Sequence, residues 1–142
     1  MRSATEQLVY DFCAHVNNRE IERLREIVSP EYINHNPQVP NGADRVVEVH
    51  WHLVEAFTDF KFTIENVWES RTGSHVFTRA RWSGVHEGIC FGYPPTGNTL
   101  DIHSHDIWKV ENGRFTEHWD ELDWLAFYQT LGCASKTDPP TI

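Results

Sequence analysis

Basic residues and cysteines are both scarce in this chain. Twelve Lys and Arg stand against 21 Asp and Glu, a formal net charge of −9, which argues against nucleic acid or an anionic membrane as partner. The three cysteines, Cys13, Cys90 and Cys133, are odd in number and widely spaced. They form neither a CxxC zinc signature nor a disulfide framework, and Cys13 falls on an apolar helical stripe as a small hydrophobe. No apolar run reaches 18 residues, so no helix is expected to span a membrane. The opening Met1-Arg2-Ser3-Ala4-Thr5-Glu6 has no hydrophobic signal region, which predicts a cytoplasmic protein. A phosphate-cradling glycine loop, a nucleotide fingerprint and a Ser/His/Asp order are also missing.

Large rings, by contrast, are plentiful: six Trp and eight Phe in 142 residues suit one domain wrapped around an apolar cavity. Ser3-Ala4-Thr5-Glu6 reads as a capping box, followed by Val9, Phe12, Cys13 and Val16 at helical spacing. Asn17-Asn18 breaks that helix. A second places Ile21, Leu24, Ile27 and Val28 on one face until Pro30, residues 31–42 form a turn-rich loop, and a third helix runs from about Ala43 to Phe57. Beyond Asp59 the period becomes two, with strands over 61–69 and 75–86, a Gly92–Gly97 loop and two further long strands. Asp123 caps a last short helix that Gly132 stops, and residues 133–142 read as a loose tail. Helices first and antiparallel strands after give an α+β fold, with the helices packed on one face of a curved sheet.

The hairpin over residues 105–120 carries the functional signal. Asn112-Gly113 fits a two-residue type I′ turn, which needs positive φ at both positions. Counting back from that turn sets Glu111 opposite Arg114, Ile107 opposite His118 and His105 opposite Asp120, the last an imidazole beside a carboxylate. A one-residue slip would dissolve that pairing. In the same register Trp108, Val110, Phe115 and Trp119 share the opposite face, an apolar outer surface that asks for a partner.

Asp120 becomes a useful base if an apolar pocket lifts its pKa; the alternatives are a helix cap or a surface ion pair. His105 is placed to orient Asp120, to hold its proton or to donate to a substrate oxygen; the alternative is a polar strand residue hydrogen-bonded to Asp120 for packing. His103 and His118 fall close to this pair, so a His/His/Asp metal site is conceivable, though the spacing matches no ligand motif and no metal is expected. His50 interrupts an apolar stripe and is placed either as a core histidine or as a contact to a ligand carbonyl. Phe12, on the stripe of the first helix, is assigned to the same pocket. His52 reads as solvent-facing, and Arg79 and Arg81 as a solvated strand face.

Three stretches resemble one known family. They are Tyr32-Ile33-Asn34-His35-Asn36-Pro37, then His86 to Gly97 with its Gly-Tyr-Pro-Pro-Thr-Gly loop, then Val110 to Asp123 with its Glu-His-Trp-Asp run. Together with Gln129-Thr130-Leu131-Gly132 they are similar to SnoaL-like polyketide cyclases. The resemblance implies a cone-shaped α+β barrel enclosing a pocket, a homodimer formed through the sheet, and no cofactor. It also implies intramolecular aldol ring closure with a pocket Asp, matching Asp120, as general acid/base. His35 and His86 belong to the matching stretches: His35 is assigned to substrate binding, and His86 either lines the pocket or ties loops together.

The expected function is therefore a cofactor-free cyclase acting on a small apolar carbonyl compound such as a polyketide, with Asp120 and His105 as the acid–base pair. His50, His35, His118, His103 and Phe12 are the expected substrate contacts. An isomerase, dehydratase or hydratase on the same pair, and a non-catalytic ligand-binding protein, are the alternatives.

Overall fold

The computed structural model describes residues 1–135; the remainder of the expected tail, 136–142, lies outside the described residues. The chain is α+β, with a five-stranded curved sheet and helices against one face. Helix α1 spans Ala4–Asn17, and its first turn is closed as expected, Ser3 Oγ accepting from the Glu6 N–H at 3.0 Å. A 3₁₀ turn (Ile21–Arg23) and a one-turn helix α2 (Leu24–Ile27) replace the single second helix predicted from the sequence. Helix α3 covers Ala43–Ala56.

Strand β1 (Val28–Asn34) forms where a helix end and a loop were expected. It lies at the sheet edge and runs parallel to β5 (Arg114–Leu122), so the sheet is mixed rather than wholly antiparallel. Pro30 is tolerated there because an edge strand can spare an N–H. The other strands, β2 (Phe57–Glu69), β3 (His75–His86) and β4 (Thr99–Glu111), complete the order β1-β5-β4-β3-β2. Helix α4 (Trp124–Thr130) closes one end, capped as expected by Asp123, whose Oδ1 accepts from the Ala126 N–H at 3.1 Å. The core gathers between α1, α3, α4 and the inner sheet face. Val9, Phe12, Val46, Leu53, Phe62, Leu100, Ile102, Trp108, Phe115 and Phe127 are all buried there.

The β4–β5 hairpin turns where expected, with Asn112 at φ 51° and Gly113 at φ 72°, and Glu111 pairs with Arg114. The register then slips. Val110 pairs with Phe115 but Lys109 pairs with Glu117, so Thr116 is an extra residue, a β-bulge on β5. Every pair beyond it moves by one: Trp108 meets His118, Asp106 meets Asp120 and His105 meets Glu121. The expected His105–Asp120 pair is not formed. His105 is exposed on the outer face while Asp106 is buried. Trp108 and Phe115, expected outside, are buried as well.

The Gly-Tyr-Pro-Pro-Thr-Gly loop ties the fold together. Thr96 Oγ1 donates to the Thr130 carbonyl at 2.8 Å and accepts from His86 Nδ1 at 3.0 Å, locking α4 onto the end of β3. His86 is fully buried, lies tilted against Phe57 with centroids 5.2 Å apart, and leaves Nε2 without a partner among the described residues.

Candidate active site

One apolar pocket opens between the helices and the inner sheet face. Phe12, Val46, Leu53, Phe62, Trp108 and Phe127 form its walls. Polar groups converge at one end, supplied by β1, β4 and β5: Asn34, Asn36, Asp106, His118 and Asp120. The Thr116 bulge builds this end. The inward-facing Phe115 and the inward-facing His118 are three positions apart, an odd step that only an inserted residue permits in a strand of period two.

His118 is the hub. Its Nδ1 lies 3.0 Å from Asn34 Oδ1, and that oxygen also accepts from the Asn36 N–H at 3.2 Å, which fixes the amide orientation. Nδ1 therefore donates. Nε2 lies 3.0 Å from Asp106 Oδ1, and Ser104 donates to Asp106 Oδ2 at 2.8 Å. Trp82 Nε1 in turn donates to Ser104 Oγ at 3.2 Å, pointing the hydroxyl proton at the carboxylate. Both ring nitrogens thus face acceptor oxygens, a set of partners satisfied in full by an imidazolium beside the Asp106 carboxylate. The Tyr32 and Trp108 rings lie nearly parallel to the His118 ring, at 6.1 Å and 19° and at 5.0 Å and 21°.

Asp120 lies directly across from Asp106, and single ligand-type atoms of Asp106, His118 and Asp120 fall within 4.8 Å of one another. Two facing carboxylates repel; a positive charge on His118, which lies within 4.8 Å of both, offsets that repulsion. Burial raises the Asp120 pKa above its ordinary 3.8, while the His118 charge and the Asn36 amide, which donates to Oδ2 at 2.7 Å, pull it partly back. The two carboxylates therefore differ in kind. Asp106 is spent in a closed network, and Asp120 keeps one oxygen at the pocket surface without a protein partner among the described residues. As arranged, neither His118 nitrogen offers a lone pair to a metal ion.

Among the residues singled out in the sequence, Asp120, His118, His50 and Phe12 line this pocket. His35, His103 and His105 do not. His35 stacks on Trp119 at 4.8 Å and bonds Glu117 at 2.8 Å, and His103 bonds Glu65 at 3.2 Å. Asp106, Asn34, Asn36 and Tyr32 were missed. For Asp106 a signal was available: Leu100, Ile102 and Trp108 share its parity along β4, so the apolar alternation already marked that face as inward.

A curved sheet with helices over its inner face, enclosing a pocket with one buried and one half-buried carboxylate, defines a class of small α+β pocket proteins. The model for SnoaL-like polyketide cyclases matches residues 7–131, and the chain belongs to that family. Aklanonic acid methyl ester cyclase DauD of Streptomyces sp. (strain C5) is 27% identical over 109 residues. That alignment covers 77% of this chain and 66% of DauD, just under two thirds of its length. Aklanonic acid methyl ester cyclase DnrD of Streptomyces peucetius is 26% identical over 121 residues, covering 82% of each chain. Among solved structures, TsrD from Streptomyces laurentii superposes with a TM-score of 0.83 at 28% identity, covering 94% of this chain and 98% of that one.

Proposed function

We propose that this protein closes a ring in a polyketide or related carbonyl compound by intramolecular aldol addition, with Asp120 as general acid/base and no cofactor. The observation that carries the reading is the asymmetry of the facing carboxylates: Asp106 locked with His118, Asp120 half-buried, raised in pKa and open to an apolar pocket. The cyclase names of DauD and DnrD support the reaction class.

In the proposed step, Asp120 takes a proton from the carbon α to a substrate carbonyl. The enolate carbon then attacks a second carbonyl carbon of the same molecule, and the resulting alkoxide recovers the proton from Asp120. No atom is gained or lost. The lifted pKa brings the base closer to the carbon acid and makes its conjugate acid a ready donor for the second half. His118 cannot hydrogen-bond the substrate, since both its N–H groups are engaged; it acts through its charge, balancing Asp106 so that Asp120 is not forced to neutralise outright. Apolar walls hold the two carbonyl-bearing arms near each other and exclude water. His105 has no part in this step, because it stands on the other side of the sheet.

The outer sheet face supports the expectation of a homodimer. Trp68 is 55% exposed and Phe77 41%, next to Ile107 and Trp119, an apolar patch that a second copy would cover. Trp68→Lys together with Phe77→Lys should turn a sedimenting dimer into a monomer with its helical circular dichroism intact. A wild-type monomer at micromolar concentration refutes the dimer.

The reaction is tested with aklanonic acid methyl ester as trial substrate. Aldol closure yields a product of unchanged mass in which a tertiary alcohol replaces one ketone. Asp120→Asn should lower the rate about 10²–10⁴-fold. A variant with near wild-type turnover refutes the assignment, and loss of one water from the product points to a dehydratase instead.

A further inference from the structure

His50 sits in α3 with its ring edge against Phe12, centroids 5.1 Å apart and planes at 82°. Its Nδ1 lies 2.7 Å from the carbonyl oxygen of Val46, one turn earlier. A carbonyl only accepts, so Nδ1 carries the hydrogen. Burial opposes a second proton, pushing the ring's pKa down to about 4, so at neutral pH Nε2 is a bare lone pair. That atom takes no partner among the described residues. It is not sealed in protein either: the buried side-chain atom left unpartnered among the described residues is His86 Nε2, whereas His50 borders the pocket. Phe12, whose ring meets it, has no hydrogen to donate, and the charged groups close enough to act on it, His118 and Asp106, are bonded to each other.

A lone pair at the pocket surface with no donor among the described residues has a definite preference. It repels a ligand carbonyl, which reverses the expectation that His50 contacts one. It accepts from a ligand hydroxyl. We propose that His50 is a specificity-determining acceptor for a substrate hydroxyl, a phenol or enol carried on a part of the molecule away from the carbon that Asp120 deprotonates. This rests on the acid–base reading of the same pocket and adds the substrate class: a hydroxylated conjugated carbonyl compound, rather than any apolar ketone. A substrate lacking the hydroxyl leaves Nε2 desolvated and unpaired, and such a mismatch discriminates more sharply than a missing methylene does.

The test uses the full chain and three probes: 6-hydroxy-2-tetralone, 6-methoxy-2-tetralone and 2-tetralone. Nitrogen-15 NMR of the histidine rings at pH 7 should show His50 as the Nδ1–H tautomer. Its Nε2 resonance should move on adding the hydroxy probe and stay in place with the methoxy probe. By calorimetry the wild type should bind the hydroxy probe about tenfold tighter than either analogue. His50→Leu should bind all three alike, and His50→Gln, which keeps an acceptor oxygen, should retain part of the preference. An Nε2–H tautomer overturns the proposal. So does a wild type without preference for the hydroxy probe, including one that binds none of the three, or a preference that survives in His50→Leu. If His50→Leu does not fold, the tautomer and His50→Gln carry the test. Because the readouts are equilibrium binding and a ring resonance, they are independent of whether Asp120 turns anything over.

Discussion

Replacing each of the two facing carboxylates in turn should affect stability in opposite ways. Asp106 is 4% exposed and accepts from Ser104 at 2.8 Å and from Nε2 of His118 at 3.0 Å. Removing one partner of a buried, hydrogen-bonded ion pair leaves the other charge unpaired and costs about 3–5 kcal/mol, the penalty expected for Asp106→Leu. Asp106→Asn can still place its amide N–H toward a neutral His118, so the cost falls to about 1–3 kcal/mol. For a domain of this size each kcal/mol is worth roughly 3–4 °C in Tm. Asp106→Leu should therefore melt roughly 9–20 °C lower, since those two ranges multiply to about that shift. Asp120 is the reverse case. Its charged form is penalised by burial beside another carboxylate, so Asp120→Asn removes a repulsion and should melt at or above the wild-type temperature while losing activity. Differential scanning calorimetry at pH 7 compares the three variants. A larger loss of stability in Asp120→Asn than in Asp106→Asn would mean that the two roles had been exchanged.

His50 should leave a mark on acid stability. Its pKa is about 4 when folded against about 6.5 when unfolded, so unfolding takes up a proton between those values. Stability from this group is complete above pH 6.5 and is lost as the pH falls toward 4, by about 3 kcal/mol. Urea titrations should give a difference curve in which His50→Gln lacks that loss; parallel curves would contradict it. Deleting Thr116 removes the extra residue but leaves Lys109 opposite Glu117, Trp108 opposite His118 and Asp106 opposite Asp120, so His118 and Asp120 should stay in the pocket and turnover should persist. A deletion variant that folds but loses activity would refute the register given to this hairpin.

How much of this was legible in the sequence follows from where the physics is local. The Ser3 N-cap, the Asp123 cap and the Asn112-Gly113 turn each depend on a few adjacent residues, and each is present, although the Glu6 half of the expected capping box is not among the hydrogen bonds of the described residues. The Thr116 bulge has no comparable signal, because threonine sits as readily in a regular ladder as in a bulge. That one residue moved the hairpin pairing by one and with it the identity of Asp120's neighbours. Strand β1 was hidden because Pro30 and the Asn34–Asn36 turn residues read as a loop, and only pairing with the distant β5 makes it a strand. In the stretch Asn34-His35-Asn36 the histidine drew notice for its chemistry. The two asparagines beside it point into the site, an alternation that becomes visible once the segment is known to be extended.

The central claim, that Asp120 moves a proton at carbon, is tested most directly by deuterium exchange at C1 of 6-hydroxy-2-tetralone in D₂O, followed by proton NMR across a pH series. The wild type should accelerate exchange over buffer, with an acid limb lying above the ordinary carboxylate value of 3.8 because burial raises Asp120. Asp120→Asn should exchange no faster than buffer, and His105→Gln should match the wild type. Exchange that persists in Asp120→Asn, or that is absent from the wild type, would contradict the account.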